Sequence, residues 1–160
     1  MRPEARIRLV GLDTIAPERI IALHTHPEVL RHLPLAPDAF GPEACQAWVS
    51  EKAGQWHTHG FGPWAILVDD EFAGWGGFQL EAGDADLALV MFPEHWGLGP
   101  AICRRMIAIG FDELHLKRIT ALLPDSRTRD RAMARHGFAR SGERFIGAHR
   151  FARFVLERPD

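Results

Sequence analysis

The segment Pro93-Glu-His-Trp-Gly-Leu-Gly-Pro-Ala101 sets two glycines two positions apart, between a strand-like run and a helical one. Gly97 and Gly99 admit tight, positive-φ backbone, so consecutive N–H groups can converge on one point. The helix behind them adds first-turn N–H donors and the positive end of its dipole. That is chemistry for cradling a phosphate, with Gly97, Leu98, Gly99, Pro100, Ala101 and Ile102 as the holding residues. Pro100 has no N–H, a loss of little consequence at a first helical position. A P-loop requires Gly-Lys-Ser/Thr, and no lysine is near; the dinucleotide fingerprint requires a small residue where Ile102 stands. The alternative is a glycine pair that turns the chain and binds nothing.

Other chemistry-bearing residues give weaker signals. Nine histidines include the pairs His24-x-His26 and His57-x-His59, but neither pair has a carboxylate or cysteine partner within recognisable spacing, so no metal is expected. Cys103 falls near a helix N-terminus, which can lower a thiol pKa. Without a paired histidine it reads as a packed thiol. Trp48 and Trp64 read as core, Trp96 as packing under the glycine loop, and Trp56 and Trp75 as core or as the lining of an acceptor groove.

These residues need a frame. A chain of 160 residues, 46% hydrophobic and 25% charged, suits one domain with a real core and excludes disorder. No apolar run approaches a membrane span and no leader opens the chain. Two cysteines, Cys45 and Cys103, fit reduced thiols in a cytoplasmic protein. From Ala101 onward 13 Lys+Arg face 7 Asp+Glu, whereas the preceding residues carry 6 against 14. The basic final third can attract a polyanionic small molecule; the net charge of −2 argues against a dedicated nucleic-acid binder.

Hydrophobic periodicity predicts a strand at Arg6–Leu12 and helices at Pro17–His24, Pro27–Leu33 and Pro42–Trp56. The last of these carries Cys45, Trp48, Val49, Lys52 and Trp56 at helical spacing. Strand-like runs Trp64–Val68, Phe72–Leu80 and Asp86–Phe92, separated by Asp69-Asp70 and Glu81-Ala-Gly-Asp84, predict an antiparallel meander. A helix over Pro100–Leu114, a strand over Arg118–Leu123, a helix over Thr128–His136 and a strand pair from Phe138 to Leu156 complete the order. This is an α+β sheet flanked by helices, mostly antiparallel, with one β-α-β crossover.

The ordered set resembles the GNAT N-acetyltransferase superfamily, and within it the Rim-type branch of ribosomal-protein N-terminal acetyltransferases. The residues that carry the likeness are His26-Pro-Glu-Val-Leu30 followed by Leu33-Pro34, Gly62-Pro-Trp-Ala-Ile66, Phe92-Pro-Glu-His-Trp-Gly97, Leu122-Leu-Pro-Asp-Ser126 and His136-Gly-Phe138. The resemblance implies a single acyltransferase domain over residues 1–160 in which two parallel strands, Asp86–Phe92 and Arg118–Leu123, splay apart around acetyl-CoA. Backbone groups of Val90, Met91 and Phe92 would bond the pantetheine arm, Leu98 to Ile102 the pyrophosphate, and Arg127 or Arg129 the adenosine 3′-phosphate. It also implies a carboxylate base, matched here by Asp86, and a cytoplasmic enzyme, with a homodimer by family analogy. The family's asparagine and serine after Asp125 are replaced by Ser126 and Arg129, and the chain has no tyrosine. Ser126, Thr128 or water is then left to protonate the CoA thiolate.

The partners implied are acetyl-CoA and a primary-amine acceptor, with no nucleic acid and no membrane. An α-amino group, with a pKa of about 7.7–8.0 against about 10.4 for lysine, loses its proton more readily to a weak base. The loop Leu33–Phe40 and the turn Arg144–Arg150 would border the acceptor groove. The competing class is an acyl-CoA-binding module that has lost its proton-transfer groups.

Overall fold

A computed structural model describes residues 5–127 and 129–160. Thr128 therefore lies outside the described residues. Strands β1 (Ile7–Val10), β2 (Pro63–Val68), β3 (Glu71–Glu81), β4 (Asp84–Met91), β5 (Arg118–Pro124), β6 (Ala139–Ile146) and β7 (His149–Glu157) form one sheet in the order β1-β2-β3-β4-β5-β7-β6. Every pairing is antiparallel except that of β4 with β5. The meander turns are where the sequence puts them. Asp69 and Asp70 have φ of 49° and 68°, Ala82 and Gly83 of 50° and 84°, the two-residue form whose twist matches the flanking strands.

Helices α1 (Pro17–His24), α2 (Pro27–Leu30) and α3 (Pro42–His59) precede the meander; α4 (Gly99–Asp112) makes the crossover, and α5 (Asp130–Arg135) follows β5. Prolines open the first three, and their missing N–H would have had no helical acceptor there. α3 runs three residues past the predicted end, stopping where Gly60 at φ 75° turns its N–H back to Trp56 O, the left-handed cap glycine favours. α2 is shorter than predicted, its last turn giving way to turns at Arg31 and His32.

Strand alternation sends side chains to two cores. On one face Ile66, Phe78, Met91 and Ile119 pack with Ile102 and Met106 of α4. On the other, Ala65, Trp75 and Val90 pack with Ile20 and Leu23 of α1 and Cys45 of α3.

The parallel pair is the structural event that matters for function. β4 and β5 are in register only at Ala85↔Ile119 and Asp86↔Thr120. β4 continues to Met91 and β5 to Pro124 without meeting again, so the sheet opens beyond Asp86.

Candidate active site

The opening between β4 and β5 widens into a cleft of about 740 Å³. Asp86, Ala88 and Val90 of β4 line it, with Leu122 and Leu123 of β5 opposite, Trp75 and Gln79 of β3, and Trp48 and Lys52 of α3. The Leu33–Pro37 loop, Ile146 of the Arg144–Arg150 turn and Phe151 just past that turn border it.

Asp86 sits at the last paired rung and is 9% exposed. The sequence places it at the start of its strand; β4 in fact begins at Asp84, so Asp86 is inside the sheet rather than at a solvated end. Thr120 Oγ1 donates to Asp86 Oδ1 at 2.7 Å across the parallel rung. Burial pushes the carboxyl up to about 6, the Thr120 hydrogen bond opposes that rise, Glu81 adds to it, and Arg153 and Arg144 oppose it. A buried carboxylate with a pKa near working pH is suited to accepting a proton.

The glycine loop differs from expectation. Gly97 and Gly99 are absent from the positive-φ glycines. Pro93–Leu98 is a 3₁₀ turn, and Gly99, at φ −50° and ψ −50°, is the first residue of α4, so Pro100 is the second. Pro93 and Pro100, fixed near φ −65°, hold the segment in helical rather than left-handed backbone. A Cβ on Gly97 would meet no atom within 4 Å, and one on Gly99 only Leu89 Cδ2 at 3.9 Å. The chain's own packing therefore demands neither glycine, and the space at the N-terminus of α4 stays open. Leu98 is the cap residue and Ala101 lies in the first turn; the Ile102 side chain is fully buried in the α4-side core.

Arg127 borders the cleft. Burial lowers its pKa, the Arg129 charge lowers it further, and Cys103, in the second turn of α4, raises it. The half-buried Arg127 guanidinium makes a cationic border to the cleft, within electrostatic reach of Cys103 on α4; Gly97 to Ile102 are not among the residues that line the cleft. Burial pushes the Cys103 thiol up to about 11 against the opposing charges of Arg127 and Arg104, which fits the packed reading.

The β4 backbone is partly committed. Phe92 N–H donates to Ala73 O at 2.9 Å, and Phe92 O accepts from His95 N–H at 3.0 Å. The Phe92 donor expected to bond a pantetheine arm is thus already used within the fold. Met91 O accepts from Trp96 Nε1–H at 2.8 Å, which fixes Trp96 beneath the loop. Val90 and Met91 stay on the stretch of β4 that has no strand beside it on the β5 side.

Ser126, the expected thiolate acid, is exposed on the 3₁₀ turn Asp125–Arg127. Its Oγ lies 2.9 Å from His32 Nδ1, and His32, which also packs edge-on to Trp96 with centroids 5.6 Å apart, lines the cleft. Burial and then the Arg127 charge hold the His32 ring below the usual imidazole range. Sequence reading missed His32, because only the fold brings α2's trailing turn against the end of β5.

At the far end of the cleft, Trp48 and Trp75 meet edge to face, with centroids 5.3 Å apart. His24 packs 4.6 Å from Trp48 and 4.6 Å from Phe40. Trp75 Nε1–H donates to His24 Nε2 at 3.1 Å, leaving His24 Nδ1–H to donate to Ile20 O at 2.9 Å. An indole is only a donor, so this pattern fixes His24 as the neutral Nδ1–H tautomer. Trp48, read as core, is therefore a cleft wall; Trp56 packs against Trp64 instead. Lys52 and Gln79, hydrogen-bonded to each other, were not singled out as site residues. A lysine on a helix face otherwise spaced for burial was the available signal.

A model of the acetyltransferase (GNAT) domain matches residues 6–139. Among solved structures, a Bordetella pertussis protein assigned to the GNAT family superposes with a TM-score of 0.78 at 15% identity, covering 98% of each chain. A Bacillus anthracis acetyltransferase (GNAT family) gives 0.74 at 18% identity over 97% of each chain. A spermidine N-acetyltransferase from Vibrio cholerae, solved with CoA and spermine, gives 0.74 at 12% identity over 96% of this chain and 95% of its own. No curated protein matches the sequence. Among the described residues no helix is long and apolar enough to cross a membrane.

Proposed function

The chain belongs to the GNAT acetyltransferase family, and on that premise we propose that it moves the acetyl group of acetyl-CoA directly onto a primary amine. The observation that carries this reading is the opening of β4 from β5 beyond Asp86, which leaves a buried carboxylate at the base of a cleft with a cationic border. The first turn of α4, the open space over Gly97 and the Arg127 guanidinium suit a pyrophosphate and its neighbouring phosphate. The stretch of β4 at Val90 and Met91, which has no strand on its β5 side, suits an amide-bearing arm lying alongside it as an added strand, with Met91 O already taken by Trp96.

Acetyl-CoA supplies the acetyl group as a thioester. Asp86 takes a proton from the acceptor ammonium; the neutral nitrogen then forms the new C–N bond as the C–S bond breaks. The nitrogen's second surplus proton leaves as the amide forms and reaches the departing thiolate through the Ser126 hydroxyl, which His32 holds, so that Ser126 gives one proton and regains one. No covalent enzyme intermediate is needed, because the cleft brings both reactants together. We place the enzyme in the Rim-type branch on the Phe92–Gly97 motif and Trp96, as a single domain in the cytoplasm, where its two cysteines stay reduced; a homodimer follows by family analogy.

The test is thermal stability with saturating acetyl-CoA beside dephospho-CoA. Ligand at about 100 times its dissociation constant adds about 2.7 kcal/mol, a rise of roughly 5–12 °C for a chain of this size. The shift is expected to shrink without the 3′-phosphate. Gly97→Val is expected to abolish it while leaving the unliganded melting point nearly unchanged, since its Cβ meets only open space. No shift with acetyl-CoA overturns the reading.

A further inference from the structure

Among the charged residues lining this cleft, Glu51, Lys52, Glu81, Asp86 and Arg127, two sheltered and opposite charges do not meet. Asp86 stands at its base and Lys52 on its helical wall. Neither is among the charges that act on the other, and no ion pair between them is present among the described residues. Both are sheltered: the Lys52 side chain is 13% exposed and Asp86 is 9% exposed. They nonetheless belong to one register. Gln79 is directly opposite Asp86 on β3 and β4, so both side chains rise from the same face. Gln79 Oε1 accepts from Lys52 Nζ. The Gln79 side chain therefore stands between the two charges, which line one cleft and form no salt bridge with each other.

We propose that this pair reads a zwitterion, and that the acceptor is a free α-amino acid with a large apolar or aromatic side chain. The proposal rests on the acetyl-transfer reading above and names its substrate class. The acceptor ammonium faces Asp86, its carboxylate faces Lys52 and the Gln79 amide, and its side chain enters the aromatic box. Amine and carboxylate on one carbon suit two readers that share a cross-strand rung.

The box itself argues against the obvious rival. Trp48, Trp75, Phe40 and His24 would by composition attract a cation. That role is already filled, because Lys52 Nζ lies 5.8 Å from the Trp48 ring and 5.7 Å from the Trp75 ring. The neutral tautomer of His24 adds no negative charge. A polyamine entering the box would meet the like charge of Lys52; Glu51 and Glu81, which also line the cleft, would attract it outside the box. Among the described residues Lys52 has one counter-ion, Glu51, on its own helix. That carboxylate is 3.5 Å away and 60% exposed, so water shares it; burial lowers the Lys52 pKa, and the Glu51 charge and hydrogen bond oppose the lowering.

Residue choice points the same way. The chain has seventeen arginines and two lysines, and one of those lysines is here, where a compact point charge fits beside two indoles. Its charge also serves the chemistry. A free α-carboxylate makes the neighbouring ammonium hold its proton more tightly, and a cation beside that carboxylate offsets the effect. Asp86, a weak base, then removes the proton more readily.

Titration calorimetry on the protein in excess CoA compares phenylalanine, phenylalaninamide and spermidine, and thiol release from acetyl-CoA is followed with the same three amines. Phenylalanine is expected to bind about tenfold or more tighter than its amide, the scale of a charge-assisted hydrogen bond, with spermidine weakest. Lys52→Met is expected to erase the acid-over-amide ratio while the unliganded melting point holds, and Gln79→Leu to narrow it. The amide or spermidine binding as tightly as phenylalanine, an unchanged ratio in Lys52→Met, or no binding by any of the three overturns the assignment. The two readings fail separately. Rapid thiol release with the amide or spermidine preferred overturns the acceptor class alone. Phenylalanine binding with its carboxylate preference, but without thiol release, supports the zwitterion site and overturns acetyl transfer.

Discussion

Asp86 couples activity and stability in opposite directions. Its carboxyl is raised from 3.8 to about 6, chiefly by burial. Activity is therefore expected to rise with pH through about 6 as the base form appears, and Asp86→Asn is expected to remove that limb and most of the turnover. Stability runs the other way. Between pH 3.8 and about 6 the folded chain keeps a proton that the unfolded chain has released, so this group's contribution falls as pH rises. The full penalty, on the order of 3 kcal/mol, is present above pH 6. Asp86→Asn keeps an acceptor for Thr120 and is expected to melt about 5 °C or more higher than the parent at pH 7.5, with little difference near pH 4. Equal melting points at both pH values would contradict the buried, raised carboxyl. Composition alone could not give this: the sequence offers Asp86 as one acid after a turn, and only the rung with Thr120 shows it is buried.

At the scale of elements, glycines serve two separate ends in α4. Gly97 and Gly99 leave open space before the helix, whereas Gly110 lets it press on the sheet. A Cβ at Gly110 would lie 2.8 Å from Phe78 Cζ and 3.2 Å from Ile119 Cδ1, and Phe78 is fully buried. Alanine gains about 1 kcal/mol of helix propensity there, while overpacking a rigid ring costs about 1–3 kcal/mol. Gly110→Ala is expected to lower the melting point by a few degrees; a rise would show that the ring can move aside. Element type and order were legible because period-2 and period-3.6 runs are separated by clear turn residues. Ends were less so, since Gly60 caps α3 at its own position and the 3₁₀ backbone of Pro93–Leu98 leaves no signature in residue type. The glycine pair suggested left-handed turns, and the flanking prolines decided otherwise.

Over the whole molecule, two register pairs join the meander β1–β4 to the trio β5-β7-β6 within the sheet; the rest of the joint is the α4 crossover and its core. A ligand lying in the opening would bridge the two parts. Acetyl-CoA is expected to slow amide exchange at Leu87–Met91 and the first turn of α4, and to leave the β1–β2 pairing unchanged; uniform slowing across the sheet would argue for general stabilisation instead. The acceptor end was the least legible region, because Lys52, Gln79, Trp48 and Trp75 come from two elements, and nothing in their spacing joins them before the sheet and α3 are assembled. Their assembly has an optical consequence. With five tryptophans and no tyrosine, emission excited beyond the phenylalanine absorption band belongs to indole alone. Trp48, Trp75 and Trp96 line the cleft, and Trp56 and Trp64 pair away from it. The protein thus carries its own fluorophores at the site, with a remote pair as internal background, and either substrate can be titrated without a label.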